Sequence, residues 1–302
     1  MNNEDNFEQE AESALGDLMS DAEDAPTMAF AMELYKLDQA GGTEIGRRRS
    51  HNEDYFGIQK RIFKEESPQA TTMDARGLYI VCDGMGGHSA GEVASTMAVE
   101  ILQQYFEEHW KESLPDEETI RDGIILANQK IHEINQDKAR SGAGRMGTTL
   151  VMALVHNTQV AIAHVGDSRI YQVNRDGEII QLTVDHEVGQ REIAKGMSPE
   201  EAYNLKNAYQ LTQALGPRKN SQVNPDIQYF EIQEDSLLLL CTDGLSDGNL
   251  IEDHGETYLA PLLKSKSNLE KGLLELIDFA NQRHGHDNIT GVVVQFKLRP
   301  SS

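Results

Sequence analysis

The feature that most constrains this chain is a set of short, strongly apolar runs that lie directly against aspartates. Leu78-Tyr-Ile-Val-Cys82 runs into Asp83, and Leu237-Leu-Leu-Leu-Cys241 is followed by Thr242-Asp243. Val160–Val165 leads into Gly166-Asp167, and Asp287-Asn288 stands just before the apolar run that ends at Phe296. Apolar runs of this length bounded by turn residues read as β-strands. Taken singly, Asp-Gly and Asp-Asn are ordinary turn dipeptides. The shared position of these aspartates at strand mouths is what carries information. Packed sheets can bring such ends to one place, where several partly buried carboxylates would repel one another strongly. A divalent cation removes that conflict, and an all-oxygen ligand set selects Mg²⁺ or Mn²⁺ over Zn²⁺.

Further strands are expected at 148–155, 169–173 and 228–232, with 148–155 and 160–165 forming an antiparallel hairpin across His156-Asn157. Helical spacing of apolar residues predicts helices over 90–108, 117–138 and 268–283. Strands, two long helices, many strands, then a helix and a last strand do not make the steady alternation of a parallel sheet. The order predicts an α+β fold of packed antiparallel sheets with helices outside them. Residues 187–222 are polar and punctuated by Gly196, Pro199, Gly216 and Pro217. They read as a functional insertion.

The formal net charge of −23 and a pI near 4.7 argue against nucleic acid and anionic membrane as partners. Residues 1–25 hold nine acidic side chains and no basic one. An extension over 1–39 is expected to be acidic and disordered, ahead of a catalytic domain over 40–298. Within that extension, 28–39 has enough apolar residues for a short helix or an edge strand. Neither a secretory leader nor an apolar run of ~20 residues is visible, so a cytoplasmic protein is expected. The two cysteines, Cys82 and Cys241, read as small buried apolar side chains. Neither has an arginine six residues later, as a cysteine-based phosphate loop would need: His88 and Asp247 stand there.

Two other clusters bear on the acidic set. Arg49 lies three residues before Asn52-Glu53-Asp54, close enough to place one guanidinium where it could grip phosphate oxygens through paired hydrogen bonds. Gly84-Met85-Gly86 after a strand has the look of a dinucleotide loop. Ser89 replaces its third glycine, and Asp83 would face the pyrophosphate, so that reading is set aside. His88, His186, His284 and His286 show no zinc-ligand spacing.

In order along the chain stand Arg49…Asn52-Glu53-Asp54, Asp83-Gly-Met-Gly-Gly-His88, Gly147-Thr-Thr149 and Val165-Gly-Asp-Ser-Arg169. Leu182-Thr-x-Asp-His186, Leu211-Thr-x-Ala-Leu-Gly216, Thr242-Asp-Gly-Leu-Ser-Asp247 and Asp287-Asn-Ile-Thr290 follow. Each is weak alone; eight in order are very specific. The set resembles the protein phosphatase 2C family of metal-dependent Ser/Thr phosphatases, in its bacterial form. The resemblance implies a four-layer α/β/β/α sandwich of two antiparallel sheets flanked by helices, with 187–222 as a flap beside the site. It implies hydrolysis of phosphoserine and phosphothreonine in proteins by direct attack of a metal-bridging hydroxide. Two Mg²⁺ or Mn²⁺ ions are implied, with a third, weaker one. Asp83 would bridge two ions, the Gly84 carbonyl would bind one, and Asp243 and Asp287 would complete the other's shell. Asp167 with Asp243 would hold the third. Glu53 would bind directly or through a water, supported by Asp54, and Arg49 would hold the substrate phosphate. The implied partners are phosphorylated proteins made by a Ser/Thr kinase, acted on by a monomer. A partner-switching phosphatase with one dedicated substrate, or an inactive binding module, are the alternatives. Two residues depart from the family's pattern. Met85 stands where animal members have a histidine proposed as general acid, and Glu187 replaces a small polar residue after Asp185-His186.

Overall fold

The computed structural model describes residues 32–66, 71–86, 90–140 and 145–301. Most of the acidic extension and His88 lie outside them. Eleven strands are described, beginning with β1 (Met32–Glu44), β2 (Asp54–Glu66), β3 (Thr71–Met85) and the short β4 (Gly147–Thr148). Next come β5 (Leu150–His156), β6 (Gln159–Val165), β7 (Arg169–Val173) and β8 (Ile179–Gln181). The last are β9 (Asp226–Glu231), β10 (Ser236–Cys241) and β11 (Ile289–Pro300). They form two antiparallel sheets, one ordered β1-β11-β10-β7-β8, the other β2-β3-β5-β6-β9 with β4 paired to the end of β3. The predicted hairpin is β5–β6, turning through Asn157 at a φ of 57°.

Helices α1 (Ala90–His109) and α2 (Glu117–Arg140) cover the second sheet. Two short helices, α3 (Val188–Ala194) and α4 (Pro199–Tyr203), lie in the 187–222 segment. The first sheet is covered by α5 (Asp243–Ser246), α6 (Leu250–Leu259) and α7 (Leu269–Arg283). The four layers expected from the sequence are therefore present.

The apolar runs are continuous because both faces of each central strand are covered. In β3, Leu78, Ile80 and Cys82 pack under the helices, while Tyr79 and Val81 face the other sheet. In β10, Leu237, Leu239 and Cys241 lie under α6 and α7, while Leu238 and Leu240 join the inter-sheet layer with Val292, Val294 and Phe296. Alternation at period two thus divides each run between two cores.

Among the described residues the fold already includes Met32, N-terminal to the boundary expected at 40, because β1 pairs with β11 along its whole length. Leu34 and Leu37 share the inter-sheet face despite their odd spacing. A register shift between Leu34 and Lys36 inserts the extra residue, as a β-bulge does. Ala40 then points to the opposite core. The spacing of three suits a helix equally well, and the edge strand is the form observed.

Candidate active site

The aspartates at the strand mouths converge. Asp54 and Asp83 are directly opposite each other across the β2–β3 ladder. Asp243 opens α5 immediately beyond β10, and Asp287 precedes β11, the neighbour of β10 in the first sheet. A Cβ on Gly244 would lie 2.0 Å from the Asn288 carbonyl oxygen and 3.5 Å from Asp287 Cβ. Only glycine lets the turn after Asp243 press against the Asp287 loop. Asp167 sits in the β6–β7 turn behind Gly166, whose φ of +116° favours glycine.

Backbone and hydroxyl groups hold this constellation. The Asp83 carbonyl accepts from Thr149 N (2.8 Å) and Thr148 Oγ1 (2.8 Å), while Asp83 N donates to Thr149 Oγ1 (3.0 Å). Thr242 Oγ1 donates to Asp54 Oδ2 (2.9 Å) and accepts from Thr290 N (3.0 Å), tying the two sheets together at the site. Asn288 Oδ1 accepts from Glu53 N (2.8 Å), and its amide donates to the carbonyls of Ile45 and His51 (2.9 Å each). Gly84 N donates to the Glu53 carbonyl (3.1 Å), and Glu53 Oε1 fills the space a Cβ on Gly91 would take, 2.5 Å away. Arg49 reaches Asp287 Oδ2 through Nη2 from the rim, with its side chain about half exposed.

The electrostatics show an excess of buried negative charge. Burial, then repulsion from Asp54, Asp243, Asp167 and Asp287, raises the Asp83 carboxyl well above the ordinary range. Burial also lifts Asp54 to about 7, against the hydrogen bonds from Thr290 and Thr242. Asp243 rises to about 6, from burial and then Asp247, and Asp167 to about 8, from burial and then Asp243. Asp54 Oδ1 and Asp243 Oδ1 are buried without a hydrogen-bond partner. Orphaned buried acceptors are costly, and two of them amid mutually repelling carboxylates fit a divalent cation. The donors available are oxygens, which suits Mg²⁺ or Mn²⁺.

Cys82 and Cys241 are both free and buried. Burial pushes the Cys241 thiol up to about 12 and raises Cys82 as well, so neither supplies a thiolate nucleophile.

Asp185 and the histidines were harder to place from sequence. Asp185 takes both Nε (3.0 Å) and Nη2 (2.7 Å) of Arg169, fixing the β6–β7 turn to the start of the 187–222 segment. His164, His186 and Asp226 place one ligand-type atom each within 4.8 Å of one another. Yet His186 Nδ1 accepts from Gly166 N (3.1 Å), so its proton sits on Nε2, which lies 3.2 Å from Asp226 Oδ2. His164 Nε2 lies 2.8 Å from the Val184 carbonyl, an acceptor only, so it too is protonated. Neither ring offers a lone pair at the shared point, and the cluster is a hydrogen-bonded brace. His286 Nε2 pairs with Asp247 Oδ2 at 3.0 Å. A cleft of about 490 Å³ adjoins the acidic centre, lined by Asp167, Asp243, Asp247, Arg169, Glu187 and Tyr209 among others. Thr242 and Asn288 were parts of recognised motifs, but nothing in their spacing announced their bracing roles.

A sandwich with such an acidic centre at one end of its sheets is suited to metal-assisted hydrolysis of phosphoric esters, and the comparisons specify a serine/threonine protein phosphatase. The family model described as protein phosphatase 2C matches residues 42–275, and the chain belongs to that family. It is similar to the serine/threonine phosphatase stp of Listeria welshimeri, 36% identical over 264 residues, covering 85% of this chain and 94% of that protein. Among solved structures it is similar to the serine/threonine phosphatase Stp1 from Staphylococcus aureus. The TM-score is 0.67 at 31% identity, over 90% of this chain and 98% of that one. The catalytic domain of PstP in complex with two manganese ions matches with a TM-score of 0.64 at 29% identity, over 88% and 99% of the two chains.

Proposed function

We propose that this chain dephosphorylates phosphoserine and phosphothreonine in proteins, using divalent ions held by Asp83, Asp243, Asp287 and Asp167. The Gly84 carbonyl and Glu53 complete the ion shells, and Asp54 supports them. The observation that carries this reading is the group of buried, mutually repelling carboxylates with orphaned oxygens at the strand mouths. Mg²⁺ or Mn²⁺, two ions with a third weaker one, matches the donor set, and PstP crystallised with two manganese ions. Such ions supply Lewis-acid charge and acidify water for direct attack on phosphorus, without a covalent enzyme intermediate.

The residues of the chain do the rest. Arg49 is held beside the centre by Asp287 and is about half exposed, so its remaining N–H groups are available to phosphate oxygens in the forked geometry guanidinium favours. Thr242 and Asn288 fix Asp54 and the Asp287 loop, so that the donor atoms do not have to be organised during turnover. The P–O bond to the serine or threonine oxygen breaks, and the leaving oxygen takes up a proton. Met85 cannot give it. Residues 187–222 act as a flap beside the cleft. The substrates are phosphoproteins made by a Ser/Thr kinase. No helix among the described residues is long and apolar enough to cross a membrane.

The test is phosphate release from a phosphothreonine peptide by protein stripped of metal. Activity should be absent in chelator and return with Mn²⁺ or Mg²⁺. Full activity with metal verified absent would overturn the reading.

A further inference from the structure

We propose that Arg48 selects substrates that carry a second anionic group, a carboxylate or a phosphate, within about three residues of the phosphoserine or phosphothreonine. The proposal rests on the phosphatase reading above and adds to it a sequence preference and the residue that sets it.

Arg47-Arg48-Arg49 is the single run of three consecutive basic residues in a chain of net charge −23. The loop that carries it, 45–51, is fastened to the Asp287 loop at several points. Asn288 Nδ2 donates to the carbonyls of both Ile45 and His51, and Arg47 N donates to the Gly285 carbonyl at 2.7 Å. Gly46 takes a φ of +81°, and a Cβ there would lie 2.1 Å from the Asp287 carbonyl oxygen. The backbone of the run is therefore fixed at the rim of the acidic centre.

The three arginines have different tasks. Arg47 Nη2 donates to the Gln282 carbonyl (2.8 Å) in the last turn of α7, one of the carbonyls that a helix end leaves without a donor. Arg49 is paired with Asp287. Arg48 is exposed and takes part in no hydrogen bond or ion pair among the described residues. It stands one peptide step, ~3.8 Å, from Arg49, and an extended peptide advances ~3.3–3.6 Å per residue. With the substrate phosphate on Arg49, a group two or three residues away in the peptide comes within reach of the long Arg48 side chain. A guanidinium takes carboxylate or phosphate oxygens through paired hydrogen bonds. The acidic surface as a whole repels an acidic peptide. A preference for one therefore needs a local cation that the chain's own carboxylates leave free, and among the described residues Arg48 is left free beside the site.

The competing account is a solvated arginine with no part in recognition. The test is competition, with Mn²⁺ present, between phosphothreonine peptides that differ at one flanking position. That position holds alanine, glutamate, a non-hydrolysable phosphonate or lysine, and it is scanned over about three residues on either side. Ratios of kcat/KM are compared for the full chain as wild type, Arg48→Gln and Arg48→Glu. Each ratio is taken within one protein, so a partly folded variant does not distort it. In wild type the anionic peptides should exceed the alanine peptide by roughly three- to tenfold at the best position. A gain with phosphonate alone would assign the second group to phosphate, and a gain with both would assign it to either anion. The ratio should fall to about one in Arg48→Gln, and Arg48→Glu should favour the lysine peptide. A wild type that treats the peptides alike or favours lysine, or an anionic preference that survives in Arg48→Gln, would overturn the proposal and leave the phosphatase reading standing. A wild type that hydrolyses none of the peptides would overturn both.

Discussion

At the scale of single residues, the site divides into groups that hold charge and groups that hold those groups. Arg49 spans the two, since it is paired with Asp287 and half open to solvent. A charge-assisted hydrogen bond to phosphate contributes about 1.5–3 kcal/mol. Arg49→Ala should therefore lower kcat/KM for a phosphothreonine peptide by roughly 10- to 150-fold. An unchanged kcat/KM would return Arg49 to the solvated surface. Residue types at motif positions made the aspartates and Arg49 legible in the sequence. Their protectors were not legible, because a threonine hydroxyl such as that of Thr242 shows no spacing that distinguishes a buried brace from a strand residue. Glu187 was visible only as a departure from the family's pattern, and it lines the cleft beside Asp167 and Asp243.

At the scale of elements, the end of β10 is the joint of the site. Thr242 Oγ1 serves Asp54 in one sheet and Thr290 N in the other. Thr242→Val keeps the shape and removes both bonds, leaving the buried Thr290 N–H without that acceptor and Asp54 with one donor fewer. The cost should be about 1–3 kcal/mol, read as a lower urea midpoint with an unchanged slope. An unaltered midpoint would show that the joint is slack. The strongest apolar runs gave their strands directly: β7 spans 169–173 as expected, and β10 and β5 differ from expectation by a residue or two at their ends. Elements without such a run stayed hidden. β2 carries Lys60, Arg61 and Lys64 among its apolar residues. The helix over 250–259 has Gly255 at its centre, where a Cβ would come within 2.5 Å of Ile179 Cδ1. That glycine reads as a helix breaker in sequence and serves close packing against β8 in the fold.

At the scale of the whole molecule, the acidic centre sets how stability responds to pH and metal. The carboxyls of Asp54, Asp243 and Asp167 stand at about 7, 6 and 8, above the ordinary value of 3.8. Between pH ~4 and ~8 the folded, metal-free protein thus binds more protons than the unfolded chain, and its stability falls as pH rises through that window. The melting temperature in chelator should drop from pH 5 to pH 8, and the rise on adding Mn²⁺ should be larger at pH 8. Asp243→Asn should lessen the drop in chelator. A metal-free melting temperature that rises across this range would contradict the charge balance described here. The sandwich itself was legible from the order of strands and helices and from the eight motifs. The N-terminal limit was not, because Leu34, Leu37 and Ala40 carry a helix-like spacing that a β-bulge accommodates. Removing residues 1–31, which precede β1, should leave peptide hydrolysis intact, whereas removal to 39 deletes most of an edge strand and should destabilise the fold.

The central claim is that the carboxylates at the strand mouths act together as a metal centre for phosphoester hydrolysis. Its most direct test is kcat for a phosphothreonine peptide at saturating Mn²⁺, compared between wild type and Asp243→Asn of verified fold. Removing one charge from the centre should lower kcat by about 10²–10³-fold while the circular dichroism spectrum stays unchanged. A kcat near that of wild type would contradict the account.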